Sequence, residues 1–234
     1  MFELKKIEAE WRAKMCKGLC FDGVDDYVVV PHSDELNIAE GNKITITMWA
    51  YLTGWEEGYP TGVVIDKRSE SKANYNWEFN DKKMLMRVHA GGTKYIAYVP
   101  HTLNVWNFYA MVLDGDVLKG YLNGELKDTV TGVATSGTNT KNLHIGESDI
   151  GKYRTKDIIA EIRIYNRALS ESEIKYLYQN PFDPIDPEHL VLWFNPAGID
   201  VANSKWWDQS EKGNHGTIHG ATEVKLVEEE VKVK

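Results

Sequence analysis

The sequence predicts an all-β fold: a two-sheet antiparallel sandwich with one short capping helix near residues 171–179. Three observations predict it. Apolar residues recur at the two-residue period of half-buried strands in one segment after another. Turn-forming residues separate those segments at short intervals, as in sandwiches. A single stretch, from Ser170 to Asn180, carries the marks of a capped helix. With 234 residues the chain is long enough to bury a core of its own, and sandwiches of this length commonly form one domain.

The elements follow in order. In Ile44–Leu52 the residues Ile44, Ile46, Met48 and Ala50 take one face and Thr45, Thr47, Trp49 and Tyr51 the other. Tyr75, Trp77 and Phe79 share a face in the next strand; Met84, Met86 and Val88 do so in the one after, across the loop Asn80–Lys83. Tyr95–Val99 is a further short strand. Trp106–Leu113 turns at Asp114-Gly115-Asp116 and returns as Val117–Leu122. Asn123-Gly124 is then the preferred pair for a type I′ turn, whose two central residues both need φ > 0. Glu125–Val130 and Leu143–Gly146 are strands, and Gly132–Lys141 is loop. In the helix, Ser170 and Glu173 form a capping box, Leu169 and Ile174 a hydrophobic staple, and Asn180-Pro181 the stop. Trp49, Trp77 and Trp106 lie in strands and are expected in the core. The helix is expected to plug one open edge of that core. Phe2–Met15 is weakly helical in period.

Two segments carry a family resemblance. Leu19–Val30 reads Leu-Cys-Phe-Asp-Gly-Val-Asp-Asp-Tyr-Val-Val-Val, a buried strand entered through an acidic turn. Ile158–Ile174 is a strand running into the capped helix. As a pair they resemble the start and end of a laminin-G-like domain of the concanavalin A-like lectin/glucanase superfamily. The resemblance implies a jelly-roll sandwich used mostly for binding. In such domains, text similar to His189–Asn195 and Trp207–Ala221 usually comes first; here it comes last, beyond the linker Pro181–Pro187. The expected organisation is an extension at 1–18, a jelly roll at 19–180, a Pro-rich linker at 181–188, a permuted segment at 189–226 and a charged tail at 227–234. The segment 189–226 completes this domain by pairing beside residues 158–165, or else belongs to a next repeat. The linker is long enough: eleven residues from Gln179 to His189 reach up to ~35 Å when extended.

Composition excludes several classes. The net charge is −8 and basic residues form no stripe, which argues against a nucleic-acid partner. No apolar run approaches the ~20 residues that span a bilayer. Residues 1–17 are charged throughout and do not read as a secretory signal. Cys16 and Cys20 fit neither a zinc quartet nor a Cys-x-x-Cys motif; they read as two partly buried thiols, or as a bridge closing a short loop. Glu- and Lys-rich text such as Val227–Lys234 is a composition found in thermophiles.

The chemistry sought in glucanases of the superfamily is a strand with carboxylates at period two, which points nucleophile and acid into one cleft. Neither Glu78-Phe-Asn-Asp81 nor Glu161-Ile-Arg-Ile has that spacing, and no hydrolase, zincin or phosphate-loop motif occurs. The chain is therefore expected not to be an enzyme. The resemblance implies a structural Ca²⁺ at the sandwich rim. Asp22, Asp25 and Asp26 offer hard oxygens in one turn, and Glu161 stands where the family often carries an acid, although Ala160 replaces the Asp common before it. The same aspartates suit the capping of their own turn. Ligand stacking is expected from the loop aromatics Trp55, Tyr59, Trp206 and Trp207. His215 and His219 are four apart but lack a third zinc ligand, so they read as loop histidines. The expected function is a non-catalytic module that binds carbohydrate or a glycosylated surface. The alternative is an assembly subunit of a virion, surface layer or filament, as a homo-oligomer or with tandem-repeat neighbours. The resemblance implies an extracellular, cell-surface or virion-associated setting.

Overall fold

The computed structural model describes residues 17–69 and 73–225. The weakly helical stretch 2–15, Cys16 and the tail 227–234 lie outside the described residues. The strands are β1 (Lys17–Asp22), β2 (Tyr27–Val30), β3 (Lys43–Trp55), β4 (Gly62–Asp66), β5 (Ala73–Phe79), β6 (Lys83–Ala90), β7 (Thr93–Pro100), β8 (Trp106–Asp114), β9 (Val117–Leu122), β10 (Glu125–Thr131), β11 (Leu143–Ile145) and β12 (Thr155–Tyr165). Helix α1 (Glu171–Gln179) follows, then β13 (Leu190–Phe194), β14 (Ile199–Asp200), β15 (Lys205–Trp206), β16 (Gly216–His219) and β17 (Thr222–Lys225).

Two antiparallel sheets face each other. The eight-stranded sheet runs β10-β9-β8-β3-β12-β1-β17, with β13 also paired to β12. The nine-stranded sheet runs β14-β15-β16-β2-β11-β4-β5-β6-β7. The fold is a concanavalin A-like jelly-roll sandwich. Strand β13 sits antiparallel to the second half of β12, with Ile162 opposite Phe194 and Ile164 opposite Leu192. The late apolar segment thus lies beside residues 162–165, where β1 no longer reaches.

Alternation fixes which side chains meet between the sheets. Ile44, Ile46 and Met48 from β3 pack with Tyr75, Trp77, Met84, Met86 and Val88 from β5 and β6. Asn123 and Gly124 both take positive φ, 53° and 79°, as the type I′ turn demands. At α1 the Ser170 Oγ accepts the Glu173 N–H at 3.3 Å, and Glu173 Oε2 accepts the Ser170 N–H at 2.7 Å.

The helix is not at an open edge of the core. It lies on the outer face of the eight-stranded sheet, where Ile174 and Leu177 join Trp49, Trp106, Phe108 and Tyr121 in a second apolar cluster. The reason is in β3 and β8, which are apolar on both faces, so each face needs a cover. Tyr178 stacks on Trp49 at 5.7 Å between ring centres. Among the described residues no helix is long and apolar enough to cross a membrane.

Candidate functional site

The outward face of the nine-stranded sheet is polar, charged and largely closed to solvent. Because Tyr75, Trp77 and Phe79 of β5 point into the core, Asn76 and Glu78 point out, whereas Asn74, with φ 68°, accepts the Ile38 N–H at 2.9 Å and donates to Asn37 at 2.7 Å. Because Met84, Met86 and Val88 of β6 point in, Leu85, Arg87 and His89 point out. Register sets Asn76 beside Arg87 and Asn74 beside His89. Arg87 ion-pairs with Glu78. Arg68 reaches the same carboxylate at 3.5 Å and Asp66 at 3.1 Å. Asn76 donates to Glu78 at 3.0 Å, and its Oδ1 lies 2.6 Å from His89 Nε2.

Electrostatics follow from that packing. Burial lowers the His89 pKa to about 4, so the ring is neutral at pH 7. Asn76 Oδ1 can only accept, which assigns the ring proton to Nε2. His89 Nδ1 is then an acceptor, and it is buried without a partner among the described residues. Burial pushes Asp66 up to about 6 despite the adjacent Arg68. Burial also pushes Glu78 up, but Arg87 and Arg68 more than offset it and hold that carboxyl below its usual range. Polar groups held dry in this way fix one another's positions and form a rigid layer beneath the partly exposed Arg68, Glu78 and Arg87.

A loop from Gly146 to Arg154 borders this floor. The Asp149 N–H donates to Asp66 at 3.2 Å. Arg154 lies 3.3 Å from Glu147, and its N–H donates to Glu56 at 3.3 Å. Where this loop meets the Glu56–Thr61 loop, Tyr59 and Tyr153 stand edge to face at 4.5 Å.

The aromatics expected to bind ligand divide into three cases. Trp55 ends β3 rather than sitting in a loop; its Nε1–H donates to the Tyr59 carbonyl at 2.7 Å and its ring meets Phe79 edge-on. Trp55 and Tyr59 are thus brought together, both half-buried. Trp207 is 39% exposed, edge-on to His215. Trp206 is not in an exposed loop: it is fully buried, stacked on Phe194 at 4.7 Å, and bonded to the Asn195 carbonyl. It forms part of the core and has no face to offer a ligand. His215 and His219 turn to different neighbours, Trp207 and Tyr27.

The acidic turn holds part of its expected constellation. Oxygens of Asp22, Asp25 and Asp26 lie within 4.8 Å of one another, which suits a hard cation. The turn also satisfies itself: Asp22 accepts the Val24 N–H at 2.7 Å, and Asp26 accepts the Asp22 N–H at 2.8 Å. Glu161 is elsewhere. It is buried on the outer face of the eight-stranded sheet, 2.7 Å from Arg163 and 2.8 Å from the Trp193 indole nitrogen. Its carboxylate is already engaged in that pocket and is not a ligand for an ion at the turn.

The sheet-face floor escaped sequence reasoning. Its signal was present in the polar half of each alternation: Asn76 and Glu78 against Arg87 and His89.

Residues 22–175 match the family model of the concanavalin A-like lectin/glucanases superfamily, and the chain belongs to that superfamily, as a laminin-G-like member. None of the curated proteins matches it in sequence. Among solved structures it is similar to a Bacteroides ovatus ATCC 8483 protein provisionally assigned carbohydrate binding, with TM-score 0.69 and 17% identity over 90% of this chain and 60% of that one. It is also similar to the binding domain of botulinum neurotoxin serotype G, with TM-score 0.57 and 12% identity over 69% of this chain and 42% of that one. A heptameric SAP-like pentraxin from Limulus polyphemus gives TM-score 0.52 and 12% identity, over 72% of this chain and 84% of that one. The chain thus spans well under two thirds of the first two structures.

Proposed function

We propose that the chain is a non-catalytic recognition module that binds carbohydrate or a glycosylated surface. It does so through the outer face of the nine-stranded sheet, with Tyr59 and Tyr153 as an aromatic margin. The observation that carries this is the Arg68–Glu78–Arg87–Asn76–His89 network. Its groups are fixed on rigid strands, with Arg68, Glu78 and Arg87 keeping some exposure above the buried Asn76 and His89. Vicinal hydroxyls suit such an array, since a hydroxyl both donates and accepts. Binding rather than hydrolysis is favoured because neither carboxylate is disposed to act on a substrate. Asp66 is fully buried under Arg68, and Glu78 is neutralised by two guanidinium groups. The toxin binding domain and the provisionally assigned carbohydrate binder share this fold and support the reading.

A structural Ca²⁺ belongs to the same proposal. Asp22, Asp25 and Asp26 would hold it, with turn carbonyls and water filling a shell of roughly six to eight oxygens, and it would stiffen the entrance to β2. An extracellular or surface setting accords with a recognition role.

The test is a glycan array followed by calorimetry on the wild type and Arg87→Ala. A bound glycan whose affinity drops at least about tenfold in Arg87→Ala, one charge-assisted contact's worth, with the β fold retained by circular dichroism, is the expected result. Equal affinity in both proteins would place the ligand elsewhere, and no binding across a broad array would end the carbohydrate reading.

A further inference from the structure

We infer a second binding site, for a neutral saccharide ring, in a cleft on the opposite side of the molecule, with Trp193 as its platform. It stands independently of the sheet-face site. The cleft measures about 460 Å³ and lies between Pro184 and Pro187 of the linker and the loop Gln209–Lys212, with Leu190 and Trp193 as its floor. That volume falls in the range of small-ligand clefts, roughly 300–1,000 Å³.

Trp193 is held at three points, two on its ring and one on its backbone. Its Nε1–H donates to Glu161 at 2.8 Å, its backbone N–H donates to Asp208 at 2.9 Å, and the Arg163 guanidinium lies 5.7 Å from the ring centre. Glu161 and Arg163 are both buried, 1% and 0% exposed, and paired at 2.7 Å. An ion pair withdrawn from water is poor value for stability alone. Here it fixes the plane of an aromatic ring whose remaining surface turns to the cleft, as a stacking platform requires.

Three features narrow the ligand. The floor is apolar, whereas the rim presents Glu211, Lys212 and the Gln209 amide oxygen, its NH₂ being bonded to the Trp207 carbonyl, which matches a ring with one C–H face and a hydroxyl periphery. Glu211 and Lys212 balance in charge, which favours an uncharged ligand. An extended peptide is disfavoured because the outer edge of β13 is already used. Asn214 donates to the Val191 carbonyl at 2.7 Å, and the Gln209 N–H donates to the Trp193 carbonyl at 2.8 Å. With the Trp193 N–H bound to Asp208, no ladder remains there for strand addition.

The test is ¹⁵N NMR of the indole N–H signals, with Trp193 assigned by its loss in Trp193→Phe. Neutral gluco-, galacto-, manno- and N-acetylhexosamine oligosaccharides are titrated to about 10 mM, which covers weak binding. At least one should move the Trp193 signal saturably. The movement should persist in Arg87→Ala and need roughly tenfold more sugar in the Gln209→Ala, Lys212→Ala double variant, which leaves the ring and its supports in place. No movement with any neutral sugar overturns the proposal. So does movement abolished by Arg87→Ala, which would leave only the sheet-face site. Failure of the sheet-face reading alone would leave the Trp193 response intact.

Discussion

Asp157 contributes stability in acid that is lost at neutral pH, and Asp157→Asn should remove that contribution. The residue lies on β12 opposite Phe21 and Leu52 and faces the core with Ile159. It is 1% exposed, and among the described residues neither carboxyl oxygen has a hydrogen-bond partner of normal geometry. Burial, opposed by the Thr155 side chain, lifts its pKa from 3.8 to about 7. Between those values the folded chain holds a proton that the unfolded chain has released. Stability from this group is therefore complete below about pH 4 and is lost as pH rises through 7. At about 1.36 kcal/mol per pH unit the loss is ~4 kcal/mol. Asparagine cannot ionise, although its amide is also unpaired at a cost of ~1–2 kcal/mol. Asp157→Asn should thus be more stable than wild type by about 2–3 kcal/mol at pH 8, or roughly 5–10 °C, and equal or slightly less stable near pH 4. Denaturant unfolding followed by tryptophan fluorescence at several pH values gives the difference directly. Asp66, raised to about 6, acts in the same direction and His89, lowered to about 4, in the opposite one; both cancel between the two proteins. A difference that stays constant from pH 4 to 8 would show that Asp157 is ionised or hydrated in the folded state, and would refute the reasoning.

Three further outcomes are expected. Ser170→Ala removes the oxygen that receives the Glu173 N–H and should lower stability by about 1 kcal/mol, read as a small fall in melting temperature with binding unchanged. Glu161→Ala strands the buried Arg163 charge and should cost about 3–5 kcal/mol; the double change Glu161→Leu, Arg163→Met should recover most of it in the same denaturant assay. Adding Ca²⁺ to chelated protein should raise the melting temperature by binding linkage, and Asp25→Asn should blunt the rise. A transition unmoved by Ca²⁺ and by chelator alike would remove the metal from the proposal.

Much of the fold was legible because its causes are local. Period-two alternation placed Ile44, Trp77 and Met86 inside without knowledge of any partner strand. The φ requirement of Asn123-Gly124 and the reciprocal bonds of Ser170 and Glu173 are each written within four residues. What stayed hidden depends on non-local cover. Trp206 sits in a two-residue strand, too short for any period to show, and its neighbours Lys205, Trp207 and Asp208 give it polar surroundings in the text. Glu161 read as a rim acid because its burial comes from β13 and the linker, which arrive about thirty residues later. The apolar outer face of β3 and β8 was visible as Trp49 and Phe108, yet only register and the docked helix show that it is a second core.

The polar floor of the nine-stranded sheet follows from the same logic carried one step further. A strand that only has to close a sandwich can leave its outward positions to solvated Lys, Glu and Thr, as β10 does with Glu125, Lys127 and Thr129. Strands β5 and β6 instead carry Asn76 and His89 there, both at 0% exposure, with two arginines folded over one glutamate. Dehydrating such groups costs free energy at each of them, and their mutual bonds return only part of it because His89 Nδ1 and Arg87 Nε go unpaired. Stability alone would not retain that arrangement, since apolar or solvated residues at these positions would do as well. Under the proposed recognition role, a layer held still before a ligand arrives would support the partly exposed Arg68, Glu78 and Arg87 above it.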